Sequence, residues 1–320
     1  MNSEMKILFH FLRRYSKVVL VLALLILGSC PSASYSQVFD TQSVFSQPVL
    51  MDSFVLKSGF DVNAFIRRIR NDTTFFKAFK NLRMVPYDAV NDINVLDKNG
   101  NTQASLHSNT KQYREKNCRY TKVTSEKTTG NFYDRHGGYE YYTAELFASL
   151  FFAPKPVCNE SDVVAGYLDA KGSGGIEKSK YQLKMLIFNP GAKVSGIPFM
   201  GARASIFDEG EAEKYDFRIT QEQYEGESCF VFRIMPKPEY AHKTLYNELT
   251  TWFRATDYSI VARDYSLSYS TMLYDFDVRM KVRTKNVGGK LYPTSIGYDG
   301  NWHIFTKKRE RVNFTMDVTY

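Results

Sequence analysis

Between residues 272 and 282 the chain reads MLYDFDVRMKV: Met272, Tyr274, Phe276, Val278, Met280 and Val282 take every second place, and Asp275, Asp277, Arg279 and Lys281 fill most of the gaps. Successive side chains of a strand point to opposite faces, so this stretch has one apolar and one charged face. The same alternation marks 215–220, 228–235, 258–265, 301–306 and 311–320, and 249–254 and 290–296 add two more candidate strands. Glu225-Gly226, Gly288-Gly289 and Asp299-Gly300 stand between these segments. Such pairs supply the positive φ angles that tight hairpins need, so the pattern predicts an antiparallel meander of about eight strands.

The N-terminal half mixes periods. Asp61 is placed to cap a helix whose apolar residues Val62, Phe65, Ile66 and Ile69 recur at helical spacing. A second start at Asp72-Thr73 leads into Phe75, Phe76, Phe79 and Leu82. Strands are predicted at 89–97 and 102–114, joined through Lys98-Asn99-Gly100, and at 118–126 and 131–142. Residues 143–152 (TAELFASLFF) read as a short apolar helix stopped by Pro154. Ser161 is a candidate start for a further small helix. After the KGSGG of 171–175 an amphipathic helix is expected over 176–188, ended by Asn189-Pro190-Gly191.

The first 36 residues stand apart. Lys6, Arg13, Arg14 and Lys17 precede an apolar run from Val18 to Leu27 and then small, polar residues, the layout of a secretory signal peptide. The apolar run is about half the length a membrane-spanning helix needs. Two exits are open: Leu27-Gly28-Ser29-Cys30 resembles a lipobox in which Cys30 is lipidated and residues 1–29 are removed, whereas cleavage after Ser36 leaves Gln37 first. Residues 37–60 are expected as a linker and 61–320 as one domain. Of the formal charge of +8 the leader holds +3, which leaves +5 on the remaining 284 residues. That excess is too thin to argue for nucleic acid as a partner. Without Cys30 the cysteines are Cys118, Cys158 and Cys229, so at most one disulfide forms; Cys118 with Cys158 is the preferred pair, and Cys229 reads as a small buried hydrophobe.

Catalytic signatures do not emerge. His10, His107, His136, His242 and His303 show no metal-binding spacing, and neither a nucleophile elbow, a Walker loop nor a dinucleotide fingerprint occurs. Asp208, Glu209, Glu211 and Glu213 do not fit a calcium loop and read as a solvated face. Tyr139, Tyr141 and Tyr142 read as sheet packing rather than a stacking platform. The expectation is a non-enzymatic protein without metal or cofactor.

Three segments resemble the outer-membrane lipoprotein carrier (LolA-like) superfamily. Gly130-Asn131-Phe132-Tyr133-Asp134-Arg135 followed by Gly138-Tyr139-Glu140-Tyr141-Tyr142 is similar to the family's run of glycine, hydrophobic strand, basic residue and aromatic-rich strand, with Gly137-Gly138 where many members have a proline. Trp252 to Val261 is similar to its signature of a tryptophan, an aspartate-containing turn and a hydrophobic strand. Gly289-Lys290-Leu291-Tyr292-Pro293-Thr294 resembles its closing hairpins. The resemblance covers about 61–320 and implies an α+β fold: a strongly curved antiparallel half-barrel whose apolar concave face is covered by helices. It also implies that this face shelters a lipid or acyl chain, with outer-membrane or periplasmic lipoproteins as partners, in the periplasm or on the outer membrane of a Gram-negative bacterium.

The apolar face of the meander therefore has three candidate occupants: packed helices, an acyl chain or the bilayer. A lipid-facing barrel would leave the apolar helices only a polar lumen, whereas helices laid on the sheet satisfy both apolar surfaces. The candidate lining residues are Phe217, Ile219, Phe230, Phe232, Trp252, Ile260, Tyr274, Phe276, Val278, Met280, Trp302, Ile304, Phe314 and Met316. A fully packed core in a structural or assembly factor of the outer membrane remains the alternative.

Overall fold

A computed structural model of the protein describes residues 37–39, 48–52, 60–161, 186–192, 203–272, 274–304 and 307–320. The expected signal peptide, Cys30, the KGSGG stretch and most of the helix expected at 176–188 lie outside the described residues; of that helix only 186–188 is seen, and it is helical.

Two helices open the domain. In α1 (Val62–Asn71) the Asp61 carboxylate accepts the Ala64 amide at 2.9 Å, and Val62, Phe65, Ile66 and Ile69 form the buried stripe. Asp72 then begins α2 (Thr74–Leu82): its Oδ1 accepts from the Thr74 amide and hydroxyl at 2.9 and 2.6 Å. A third helix, α3 (Tyr142–Phe151), lacks a side-chain cap of its own, and a carboxylate from the sheet takes that role (below).

The strands are β1 (Gln37–Phe39), β2 (Val49–Met51), β3 (Tyr87–Leu96), β4 (Thr102–Glu115), β5 (Cys118–Thr129), β6 (Val157–Cys158), β7 (Tyr215–Tyr224), β8 (Glu227–Pro236), β9 (Tyr246–Arg254), β10 (Ile260–Ser270), β11 (Tyr274–Val287), β12 (Lys290–Ile304) and β13 (Glu310–Thr319). They form one sheet in the order β1-β2-β7-β8-β9-β10-β11-β12-β13-β3-β4-β5-β6. The sheet is open, with the shortest strands at its ends. Among the described residues every pairing is antiparallel except β2 on β7, where Val49, Leu50 and Met51 run parallel to Phe217, Arg218 and Ile219. Register shifts interrupt the β9–β10, β11–β12, β3–β4 and β4–β5 pairings. Such bulges bend a sheet, and the result is a large, open, curved sheet of half-barrel type.

Three expectations change here. Residues 37–60, read as a linker, supply β1 and β2, and Val49 and Met51 are buried in the core. Residues 131–142, read as a strand, form only a small hairpin around a Tyr133–Tyr139 bridge before α3 begins. Glu225-Gly226 and Gly288-Gly289 make the expected hairpins, with φ of 50° and 82° and of 58° and 78°. Asp299-Gly300, in contrast, lies inside β12, where Gly300 pairs with Val278 on one side and Val312 on the other. The glycine is needed for space rather than for a turn. A Cβ there would lie 2.0 Å from the Tyr298 hydroxyl oxygen, because the Tyr298 ring folds over the glycine to stack on Phe314 at 4.7 Å and accept a hydrogen bond from Trp302 Nε1. Gly300→Ala is expected to lower stability by about 2 kcal/mol through forced displacement of that ring. Urea melts check this, and an unchanged midpoint would mean that the ring moves aside freely.

Candidate functional site

The sheet has two unlike faces. Along β11 the residues alternate without a slip: Phe276, Val278, Met280 and Val282 are buried while Asp277, Arg279 and Lys281 are exposed. The buried side of β8, β9, β10 and β13 meets the helices ring against ring. Phe65 of α1 lies 5.1 Å from Phe253, 6.1 Å from Phe232 and 6.3 Å from Phe230. Phe75 of α2 lies 6.3 Å from Tyr265, and Phe147 of α3 lies 4.2 Å from Phe314. Segment 186–192 adds Leu186, Ile187 and Phe188, the last 4.7 Å from Phe79.

Most of the expected lining residues gather on this face. Phe217, Ile219, Phe230, Phe232, Ile260, Phe276, Val278, Met280, Trp302, Phe314 and Met316 belong to one buried cluster, and Tyr274 packs against its edge. Ile304 ends β12, and its side chain lies outside the described residues. Trp252 does not belong with them. It sits on the opposite face, 5.1 Å from Tyr224, beside Cys229, Val231 and Val261. Trp252 and Phe253 are neighbours in a strand, so they must face opposite ways, and Phe253 is the one that meets Phe65.

One residue on this buried face escaped the sequence reading. The β9–β10 register slips between Ile260 and Ala262, which leaves Ile260 and Val261 buried on opposite faces and turns Arg263 inward beside Tyr265 and Leu267. Arg263 is 6 % exposed. Its Nε donates to Thr251 Oγ1 at 2.9 Å, and its guanidinium carbon lies 4.3 Å above the Phe75 ring. Burial lowers its affinity for its proton, and the Asp72 carboxylate at the α1–α2 joint opposes that shift. Asp72 Oδ2 is itself buried without a hydrogen-bond partner among the described residues. Both residues line a cavity of about 50 Å³ with Ile69, Asn189, Phe232 and Leu249, a volume for roughly one or two waters.

Polar groups tie the helices and segment 186–192 to the sheet at several points. Tyr265 donates its hydroxyl hydrogen to the Ile187 carbonyl, and the Gly191 amide donates to the Tyr246 hydroxyl at 3.0 Å. Gly191 has φ +87°, and a Cβ there would meet Ile206 Cδ1 at 2.9 Å. Burial pushes the Tyr246 and Tyr265 hydroxyls well above the usual tyrosine range, so both stay protonated. On α2, Asn81 Nδ2 donates to the Leu291 carbonyl at 2.9 Å. At α3, Glu310 of β13 accepts the Tyr142 amide at 3.0 Å, the Thr143 amide at 3.0 Å and the Thr143 hydroxyl at 2.7 Å. A carboxylate at a helix N-terminus meets its unpaired amides and its dipole together. Burial nonetheless leaves Glu310 above the usual glutamate range, with those donors acting against the shift. Beyond α3, Cys118 and Cys158 are disulfide-bonded, and Glu160 bridges Arg83 and the buried Arg119. Cys229 is buried and free.

The remaining charged features form local ion pairs. His107 pairs with Asp92, His303 with Asp275, and Glu211 of the acidic run with Lys214. Among the described residues no group of three His, Cys, Asp or Glu side chains gathers as metal ligands. Tyr133 and Tyr139 pack on each other and on the buried Phe132, with Tyr141 at its other side.

No protein-family model and no curated protein matches the chain. Among solved structures it is similar to an outer membrane lipoprotein-sorting protein domain from Vibrio parahaemolyticus, at 14 % identity over 80 % of this chain and 88 % of that one, with a TM-score of 0.27. A LolA superfamily protein from Nitrosomonas europaea matches at 10 % identity over 78 % and 90 %, with a TM-score of 0.22. A DUF1329 family protein from Desulfovibrio piger matches at 10 % identity over 77 % and 92 %, with a TM-score of 0.21.

Proposed function

We propose that this is a non-enzymatic exported protein of the cell envelope that shelters the acyl chain of a lipid or lipoprotein against the apolar sheet face, beneath helices that lift to admit it. The buried Arg263 beside Asp72 carries the reading. A core meant to stay closed gains nothing from a buried guanidinium, since well-packed apolar residues in its place are often as stable or more so. A charge placed under the joint of the cover weakens the closed state where it must open. The ring contacts of Phe65, Phe75 and Phe147 with the sheet are apolar and non-directional, so methylenes of a guest chain can stand in for the rings that leave. Each buried methylene contributes about 0.8 kcal/mol before ordering costs. The open sheet counts against a transmembrane barrel, which has to close to satisfy its edges. The proposed site is the periplasm or the outer membrane, where lipoproteins would be the partners.

Native mass spectrometry of protein purified from its membrane fraction is expected to show a bound lipid, and the stripped protein to take up a fluorescent fatty acid. A bare polypeptide that takes up none would end this reading. The closeness of the ring packing favours a second one, a structural factor whose sheet face is simply core. Phe276 lies 4.7 Å from Trp302 on that face. Phe276→Ala is expected to cost about 3 kcal/mol in either case. Only a carrier also loses fatty-acid affinity, which titration of the folded variant measures.

A further inference from the structure

Outside the small cavity at Arg263, and sharing Arg70, Gly191, Ala192 and Phe207 with its wall, lies a cleft of about 440 Å³. Arg67 and Arg70 reach it from α1, and Ser205 and Asp208 border it from the segment before β7. Two observations set the cleft apart from a solvated surface. Ser205 is 3 % exposed, and its hydroxyl oxygen has no hydrogen-bond partner among the described residues. A buried hydroxyl in that condition lacks an interaction that a ligand can supply. Arg67 is exposed and makes neither a hydrogen bond nor an ion pair within the described residues, whereas Arg70 is already engaged. Arg70, in the last turn of α1, complements the C-terminal end of the helix dipole, which leaves the position of Arg67 on the cleft without that account. The Asp208 carboxylate opposes an anion there, and Arg67, with Arg70 beside it, offsets it. At the inner wall the chemistry changes: the half-buried Phe207 ring lies nearly parallel to Phe232, at 6.5 Å and 8°, and so touches the apolar sheet face.

We infer that the ligand is an anionic amphiphile whose carboxylate or phosphate head is held in this cleft by Arg67 and the Ser205 hydroxyl, while its chain enters past Phe207. The inference rests on the acyl-chain reading above and adds the class of head group. A charged head explains why the entrance is polar on one wall and aromatic on the other. Arg67 and Ser205 have no other partners within the described residues, so the free protein keeps both ready for the head.

The test titrates the full mature chain with three probes of equal chain length: a long-chain fatty acid, its methyl ester and the corresponding lysophosphatidic acid. The charged probes are expected to bind about tenfold more tightly than the ester, as one charge-assisted hydrogen bond in a half-open site provides. The preference should shrink with added salt. Arg67→Gln should erase it, Arg67→Glu should reverse it and Arg67→Lys should keep most of it, with ester affinity constant within about twofold as the check on folding. The order of fatty acid and lysophosphatidic acid tells carboxylate from phosphate. Equal binding of acid and ester, unmoved by Arg67→Glu, overturns the head-group site and leaves the acyl-chain reading standing. Failure of all three probes removes that reading and this inference with it.

Discussion

Arg263→Met is expected to lower the free energy of unfolding by about 2 kcal/mol, although methionine fills much of the same volume and suits an apolar site better. The reason lies in what stays behind. Thr251 Oγ1 loses the donor that reached it at 2.9 Å, and Asp72 keeps a buried oxygen without a partner and loses the neighbouring positive charge. Among the described residues Arg263 and Asp72 form no ion pair, so the loss comes from the acceptor left unpaired at Thr251 and from the nearby positive charge withdrawn from Asp72. A buried polar group left without its partner costs about 1–3 kcal/mol. Joining Arg263→Met to Asp72→Asn should restore most of the loss. Asparagine keeps the side-chain oxygen that accepts from the Thr74 amide and hydroxyl, so the start of α2 survives. The double variant is expected to match or exceed the parent in urea melts with an unchanged m-value. A single-variant loss below about 1 kcal/mol would show that the two charges do not depend on each other. If the repaired double variant is also slow to take up fatty acid, the buried pair serves opening rather than stability.

Arg263 also shows where the sequence stopped being readable. The alternation of β11 survives unbroken from Phe276 to Val282 because the register shift against β12 comes only after Arg283. The four apolar residues of that run are buried as the pattern names them, whereas Met272, ahead of the strand, is exposed. In β10 a single bulge at Ile260 moves the phase, so Arg263 goes under α2 although simple alternation sends it to solvent. A bulge is set by cross-strand geometry and leaves little trace in one strand's own sequence. The adjacent pair Trp252-Phe253 is ambiguous in the same way, since either residue can face inward and only the tertiary partner decides. Asp299-Gly300 misleads for the opposite reason: it has the residues of a turn, but the Tyr298 ring occupies the space the glycine leaves. The helices were legible through Asp61, Asp72 and their apolar spacing. The two short strands within 37–60 were not, because three residues carry no measurable period and their place depends on β7.

The Cys118–Cys158 disulfide should matter more than Arg263. It closes a loop with a sequence separation of 40 residues that contains most of β5, the Tyr133–Tyr139 hairpin and all of α3. For a loop of that size the chain-entropy model assigns roughly 4 kcal/mol of stabilisation, arising in the unfolded state. Replacing both cysteines by serine is therefore expected to lower the urea midpoint strongly and to raise the m-value, since the unfolded chain expands. The native fold should survive the change. α3 keeps Phe147 on Phe314 and the Glu310 cap, and Glu160 still bridges Arg83 and Arg119. Only β6 depends directly on the bond: its two residues pair with Cys118 and Arg119 and with nothing else in the sheet. Hydrogen exchange should accordingly speed up first at 157–159 and leave α3 protected. Cys229 cannot substitute for either partner while folded, because it is buried on the other face with Val231 and Val261, and burial raises its thiol above the usual range. A double-serine protein with the parent's midpoint, its loss of the bond confirmed by intact mass, would place the stability of this corner in the Glu160 bridge instead.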